Sequence, residues 1–217
     1  MWCRVRLGER SSKSDGVLIR AGDNARGRWL IIQEAQALEA LAAELDCKTF
    51  GRAVDLLGSA SGRVIATGVG KSGHVARKIA STMASTGTPA LFVHAGEAAH
   101  GDLGMVVEGD AVLAFSKSGT TTELMPMVER ALEIGAPFVL VSENDTDGVA
   151  FHADVTVRLP ERSELWGAAP TVSTTMQAAI GDALAVCLAE RRAFKTSDFR
   201  RLHPGGAIGG KEAAHAV

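Results

Sequence analysis

Hydroxyl groups, one lysine and one glycine are concentrated in the segment 116–121, Ser-Lys-Ser-Gly-Thr-Thr. The apolar run 111–115 before it has the length and composition of a strand buried on both faces. The apolar residues after it recur at helical spacing as far as Gly135, which predicts a helix that ends there. Such a strand-to-helix turn offers free backbone N–H groups to an anion, but it is also typical of ordinary helix capping. The side-chain donors are those of Ser116, Lys117, Ser118 and Thr121.

A second turn, Gly70-Lys71-Ser72-Gly73, also joins a predicted strand to a predicted helix. In a functional interpretation, Lys71 contacts a substrate oxygen or phosphate and Ser72 donates to the phosphate. In the alternative interpretation, Lys71 is a surface residue in a tight turn. The segment is not a nucleotide P-loop, because that motif needs a glycine where this chain has Ile65.

Three further side chains can move protons near neutral pH. His100 lies in a glycine-rich loop with Glu97 and Asp102, without a familiar metal-ligand spacing, so no metal site is predicted. Glu123 falls in the first turn of a predicted helix, where the dipole favours any carboxylate. His203 precedes Pro-Gly-Gly, where a histidine can also be a turn residue bonded to the backbone.

The overall composition is that of an ordinary globular protein of 217 residues with a formal net charge of −2. No basic stripe follows the first 30 residues, so nucleic acid is not an expected partner. Cys3, Cys47 and Cys187 are widely separated, which favours a reducing compartment. No apolar run has the roughly 18 residues of a membrane span, and no signal-peptide core is present. A cytoplasmic location is expected.

Strands and helices alternate along most of the chain, which predicts a doubly wound α/β fold with a five-stranded parallel sheet and helices on both faces. Functional sites in such sheets lie beyond the carboxyl ends of the strands. The composition of residues 1–28 predicts a basic tail that is disordered or packs on a partner. The pattern of residues 29–217 predicts one domain. The helices at 29–45 and 49–59 are a candidate subunit interface. The strands are expected at 64–68, 89–93, 111–115, 138–142 and 155–159, and the later helices at 74–86, about 124–134 and 174–192.

Four motifs occur in an order that resembles the sugar isomerase (SIS) domain, and more narrowly the arabinose-5-phosphate isomerase family. They are GVGKSGHVARKIASTMASTGTPALFVHAGEAAHGDLGMV, SKSGTTTEL, APTVSTT and LHPGGAIG. The resemblance covers residues 30–211. Those enzymes usually carry two C-terminal CBS domains, whereas this chain ends at Val217 and resembles the single-domain form.

The resemblance implies an aldose–ketose isomerase that interconverts D-ribulose 5-phosphate and D-arabinose 5-phosphate through an enediol, without a cofactor. It also implies a homotetramer with sites between subunits. The alternatives are an isomerase of another sugar phosphate and a non-catalytic sugar-phosphate-binding module. The phosphate would be held by Ser72, Ser116, Ser118 and Thr121.

The same resemblance assigns catalysis to Lys71, His100, Glu123 and His203. Proton transfer between C1 and C2 is expected of His203 or Glu123. His100 is expected to position the sugar or to open its ring, and Lys71 to stabilise negative charge. His203 is expected to serve the site of a neighbouring subunit.

Three departures from the family pattern stand out. Ala95 replaces a proline, and Lys117 replaces the asparagine of an SNSG turn. The family's loop glutamate falls on Arg162, with glutamates one position before and two positions after it. The Cys-Pro-Leu that follows in the family is replaced by Glu164-Leu165-Trp166.

Overall fold

A five-stranded sheet, parallel throughout, forms the centre of the computed structural model, which describes residues 23–205. The strand order is β2-β1-β3-β4-β5, so the predicted doubly wound parallel fold is confirmed. Because the sheet is covered on both sides, its central strands are continuous apolar runs. The strands are β1 (Val64–Gly68), β2 (Ala90–His94), β3 (Ala111–Phe115), β4 (Phe138–Ser142) and β5 (Val155–Arg158).

The helices within the described residues are α1 (Asp23–Glu44), α2 (Cys47–Gly58), α3 (Gly70–Ser85), α4 (Ala95–Ala98), α5 (Met125–Ile134), α6 (Val172–Arg191) and α7 (Thr196–Arg201). Short 3₁₀ segments span Asp102–Met105, Thr122–Leu124 and Gly148–His152. Gly135 ends α5 in the left-handed conformation, as predicted.

Two helix starts differ from the prediction by more than two residues. α1 begins at Asp23 rather than near residue 29, so it takes in the last six residues of the predicted tail; residues 1–22 lie outside the described part. α3 begins at Gly70 rather than at residue 74, so Lys71 and Ser72 are in its first turn.

Alternate residues of the central strands face two separate cores. Leu113 and Phe115 of β3 pack towards α3 and α6, together with residues of α1 and α2. Val112 and Ala114 pack towards α5 on the other face.

Helix α6 has the length and hydropathy of a membrane span, alone among the helices of residues 23–205. Half of the span is buried inside the domain, where it packs on α3. A Cβ atom on Gly181 of α6 would lie 2.4 Å from Cγ1 of Ile79 on α3, so the two helices touch closely there. The burial indicates a core helix.

Candidate active site

The turn after β3 is closed by its own hydroxyl groups. Ser116 Oγ and Thr121 Oγ1 share a hydrogen bond of 2.7 Å, and Ser116 Oγ also accepts from the N–H of Gly119 at 3.1 Å. Ser118 Oγ accepts from the N–H of Thr120 at 3.2 Å. Ser116 is only 2% exposed, whereas Ser118 is at the surface. The hydroxyls therefore shape the turn before any ligand is bound.

Backbone donors remain available where this turn enters its helix. No hydrogen bond to another described residue is made by the N–H of Thr121, Thr122 or Glu123. Helix starts leave such groups free, and the positive end of the dipole adds to their attraction for anions. The carboxylate of Glu123 is exposed and accepts from the neighbouring Thr122 hydroxyl at 3.3 Å. The turn can therefore bind a phosphate mainly through backbone N–H groups.

Glycines bring the start of α3 against the ends of β1 and β3. A Cβ atom on Gly73 would lie 2.8 Å from the carbonyl oxygen of Gly68, and one on Gly68 would lie 3.0 Å from that of Phe115. Gly70 has a φ of +58°, which favours glycine. Val69, the residue before the helix, supplies no side-chain cap. A second uncapped helix start thus lies at the same edge of the sheet.

Gly68, Gly70 and Gly73 form the pattern G-x-G-x-x-G. The test of the sequence against the P-loop motif did not reveal this pattern. In that pattern the third glycine permits close packing of helix and strand, which is the role of Gly73 here. Lys71 is exposed and Ser72 is half-buried in the first turn of the helix.

His100 follows the short helix α4 in the loop after β2. The backbone N–H of His100 donates to the carbonyl oxygen of Glu97 at 2.9 Å, and His100 is exposed to solvent. Nearby His94 caps α4: its side chain accepts from the N–H of Gly96 at 3.1 Å.

Seven of the eight predicted site residues follow β1, β2 or β3, which are neighbours in the sheet. The register aligns the last residues of these strands, Gly68, His94 and Phe115. The structure therefore brings the loops of the seven residues to one edge. They are Lys71, Ser72, His100, Ser116, Ser118, Thr121 and Glu123.

His203 does not share that edge within its own chain. α6 begins at the carboxyl edge and its 20 residues carry the chain about 30 Å away. Phe194, just after it, packs on Gly87 beyond the end of α3. His203 follows the six-residue α7; its Nδ1 donates to the carbonyl oxygen of Phe199 at 2.7 Å and its ring stacks on that of Phe199 at 3.9 Å.

The Lys117 side chain binds a buried carboxylate outside the turn. Its Nζ donates to Oε1 of Glu164 at 2.8 Å and lies 4.0 Å from Oε1 of Glu143. This ion pair raises the pKa of Lys117. The Lys117 ammonium, which the sequence offered as a possible donor to an anion, is thus paired with Glu164.

Glu164 fills the amino end of α6. Its Oε2 accepts from the N–H of Thr171 at 2.8 Å, from the Thr171 hydroxyl at 3.1 Å and from the N–H of Ser173 at 3.3 Å. Burial opposes ionisation of this carboxyl, but the hydrogen bonds from Lys117 and from these N–H groups prevail and lower its pKa to about 2. Glu164 is therefore an ionised, internally satisfied cap.

Glu143 was not singled out in the sequence, yet it adjoins the same turn. Its N–H donates to the carbonyl oxygen of Lys117 at 3.0 Å, and its side chain is only 13% exposed. Burial raises its pKa, against the opposing effect of the Lys117 ammonium. Position 162, where the family has a glutamate, carries an arginine that pairs with Glu44 of α1 at 2.7 Å.

Two clefts mark the surface of residues 23–205 away from the predicted residues. One is lined by the end of α2 and the end of α6, and the other by the start of α2, the 145–146 loop, residues 150–154 and β5. Neither contains a predicted site residue. Among residues 23–205, no three His, Cys, Asp or Glu side chains come together as metal ligands. The expectation of metal-free chemistry remains a prediction.

A parallel α/β domain with two uncapped helix starts at the carboxyl edge of its sheet is suited to binding phosphate esters. The profile of the SIS domain matches residues 57–187, and the chain belongs to the SIS domain family.

Arabinose 5-phosphate isomerase KpsF of Escherichia coli O6:H1 strain CFT073 is 41% identical over 184 residues, which are 84% of this chain and 56% of that protein. Arabinose 5-phosphate isomerase KdsD of Pseudomonas aeruginosa is 43% identical over 178 residues, 81% of this chain and 54% of that protein. This chain thus spans slightly more than half the length of these relatives.

A solved structure of similar length matches the whole domain. The E. coli CFT073 protein c3406 in complex with arabinose 5-phosphate superposes with a TM-score of 0.80 at 35% identity. The match covers 86% of this chain and 100% of that one.

Proposed function

We propose that the protein is an aldose–ketose isomerase that interconverts D-arabinose 5-phosphate and D-ribulose 5-phosphate. The observation that carries the proposal is the match over the full length of c3406, a structure that holds arabinose 5-phosphate. The relatives named arabinose 5-phosphate isomerase agree with it. The free N–H groups of the turn at 116–121 supply a site for the phosphate of such a substrate.

In this proposal the phosphate binds at the carboxyl edge, between the two uncapped helix starts. Ser72 and Ser118 supply hydroxyls to it, while Ser116 and Thr121 hold the turn in shape through their mutual hydrogen bond and bind the phosphate at its inner side.

Isomerisation then needs a base that removes the C2 proton of the open-chain aldose and returns a proton to C1, together with transfer of a hydroxyl proton between the two oxygens. Glu123 or His203 performs this transfer, and Lys71 stabilises the negative charge on the enediolate oxygen. His100 assists ring opening. Because His203 leaves its own chain's carboxyl edge, it serves the site of a neighbouring subunit in a cytoplasmic homotetramer.

The test is turnover of D-arabinose 5-phosphate and D-ribulose 5-phosphate by the purified protein, followed in both directions, with tetrose, other pentose and hexulose phosphates as a comparison panel. Lys71→Met serves as the inactive variant and excludes contaminating isomerases. The exposed Lys48→Met on α2 is the matched control. Absence of turnover on the whole panel would refute the proposal.

A second candidate is a non-catalytic sugar-phosphate-binding module. The observation that favours it is the arginine at position 162, which pairs with Glu44 instead of providing the family's carboxylate. Calorimetry with D-arabinose 5-phosphate separates the two functions, because saturable binding without conversion is expected only of the module.

A further inference from the structure

Two of the positions at which this chain departs from the family pattern contact each other. Lys117 stands in place of an asparagine, and Glu164 lies in the segment that replaces Cys-Pro-Leu. Their side chains are 47 positions apart in sequence and form a 2.8 Å ion pair. The charge of the nearly buried Glu164 carboxylate is therefore compensated by the Lys117 ammonium.

The carboxylate side of this pair is rigidly held. The Glu164 side chain is 2% exposed, and its two oxygens receive all four hydrogen bonds of the site: one from Lys117, two from Thr171 and one from the N–H of Ser173. A buried carboxylate with this many donors at a helix start has no freedom to move towards a substrate. The amino end of α6 is thereby closed to an external anion.

The lysine side of the pair belongs to the turn proposed to bind phosphate. The carbonyl oxygen of Lys117 accepts from Oγ of Ser142 at 3.1 Å and from the N–H of Glu143 at 3.0 Å, and the carbonyl oxygen of Ser118 accepts from Nδ2 of Asn144 at 3.1 Å. These bonds attach the turn to the end of β4. The Lys117 side chain adds the attachment to α6.

We propose that Lys117 and Glu164 form a positioning pair, which holds the 116–121 turn against the start of α6, and that Lys117 does not bind the substrate phosphate. This inference rests on the proposed function, because it takes the ligand of the turn to be the phosphate of a sugar phosphate. Lys117 and Glu164 are therefore positioning residues.

The two roles for Lys117 predict opposite effects of removing Glu164. If the pair positions the turn, Lys117→Met and Glu164→Gln each weaken phosphate binding, on the order of tenfold. The double variant then binds phosphate no more weakly than the single variant with the lower affinity. If Lys117 were a phosphate ligand, Glu164→Gln would free its ammonium and strengthen binding or leave it unchanged, which would overturn the proposal.

The experiment measures the dissociation constant of inorganic phosphate by calorimetry, and KM and kcat for D-arabinose 5-phosphate, in the wild type and the three variants. Lys117→Arg is the conservative control, which keeps the charge and is expected to stay within about threefold of the wild type. Unchanged phosphate affinity in both single variants would also refute the positioning role.

Amide hydrogen exchange tests the pair independently of catalysis and of the Glu164 variants. In ligand-free Lys117→Met, residues 116–121 and 164–173 should exchange faster together, whereas a lysine that only binds phosphate would leave ligand-free exchange unchanged. A wild type that binds phosphate without turnover would refute the proposed isomerase activity but not the positioning role of the pair. A wild type that binds no phosphate would refute the phosphate site, and exchange would still decide whether the pair holds the turn.

Discussion

Replacing Glu164 with glutamine should destabilise the protein in a way that depends on pH. The pKa of this carboxyl is about 2 in the folded protein against an ordinary value of 4.5. This difference in pKa corresponds to about 3 kcal/mol of folding free energy at neutral pH. Glutamine keeps an acceptor for the N–H of Ser173 and Thr171 but not the charge for Lys117, so we expect a loss of about 2–3 kcal/mol at pH 7.

The sign of the pH dependence follows from the lowered pKa. A carboxyl whose folded pKa is depressed contributes fully above its unfolded value, here 4.5, and loses that contribution as the pH falls towards 2. The wild type and Glu164→Gln should therefore converge in stability between pH 4.5 and 2. Glu143 acts in the opposite sense, since its raised pKa stabilises the fold below 4.5 and this contribution is lost as pH rises.

Urea unfolding at pH 7, 5.5, 4 and 3, at one fixed protein concentration, measures the difference. Far-UV circular dichroism, which reports the loss of the helices, follows the transition. Glu161→Gln is the matched control, because this exposed glutamate is in the same loop and its loss should change stability by less than about 0.5 kcal/mol. A Glu164→Gln effect that is the same at every pH, or below about 0.5 kcal/mol at pH 7, would refute the reasoning.

Other expectations concern binding, catalysis and packing. Ser118→Ala should raise KM for a phosphorylated sugar without changing the poor use of its unphosphorylated counterpart; an unaltered KM would argue against the turn as the phosphate site. His203→Ala should lower kcat by about 10²-fold or more, and mixed oligomers with Lys71→Met should regain part of the activity if the site lies between subunits. Gly181→Ala should destabilise the fold by about 1–3 kcal/mol in thermal unfolding, because the new methyl group would overlap Ile79; a variant as stable as the wild type would show that the helices can separate at no cost.

Much of the fold was predictable because its signals are local. Strands buried on both faces are short apolar runs, and three of the five have the predicted bounds. The start of α1 was missed because residues 23–28 are polar and charged; α1 buries only Ala37 and Leu41, so little hydrophobic periodicity marks its beginning. The start of α3 was missed because glycines suggest a loop, whereas Gly73 is required where the helix touches the carbonyl oxygen of Gly68.

The sequence by itself determined the order of the strands and helices along the chain and the two turns that contain glycine and hydroxyl groups. It also determined the residue types available for phosphate binding and proton transfer. These depend on neighbours a few positions apart, so spacing alone reveals them. Only the tertiary structure decided that Lys117 pairs with Glu164, and that His203 leaves the edge where the other predicted residues lie. The physical reason is that the sequence gives the sign of each charge but does not show which residue it will pair with. Glu164, 47 positions from Lys117, comes within 2.8 Å of it only when the sheet and α6 have packed together.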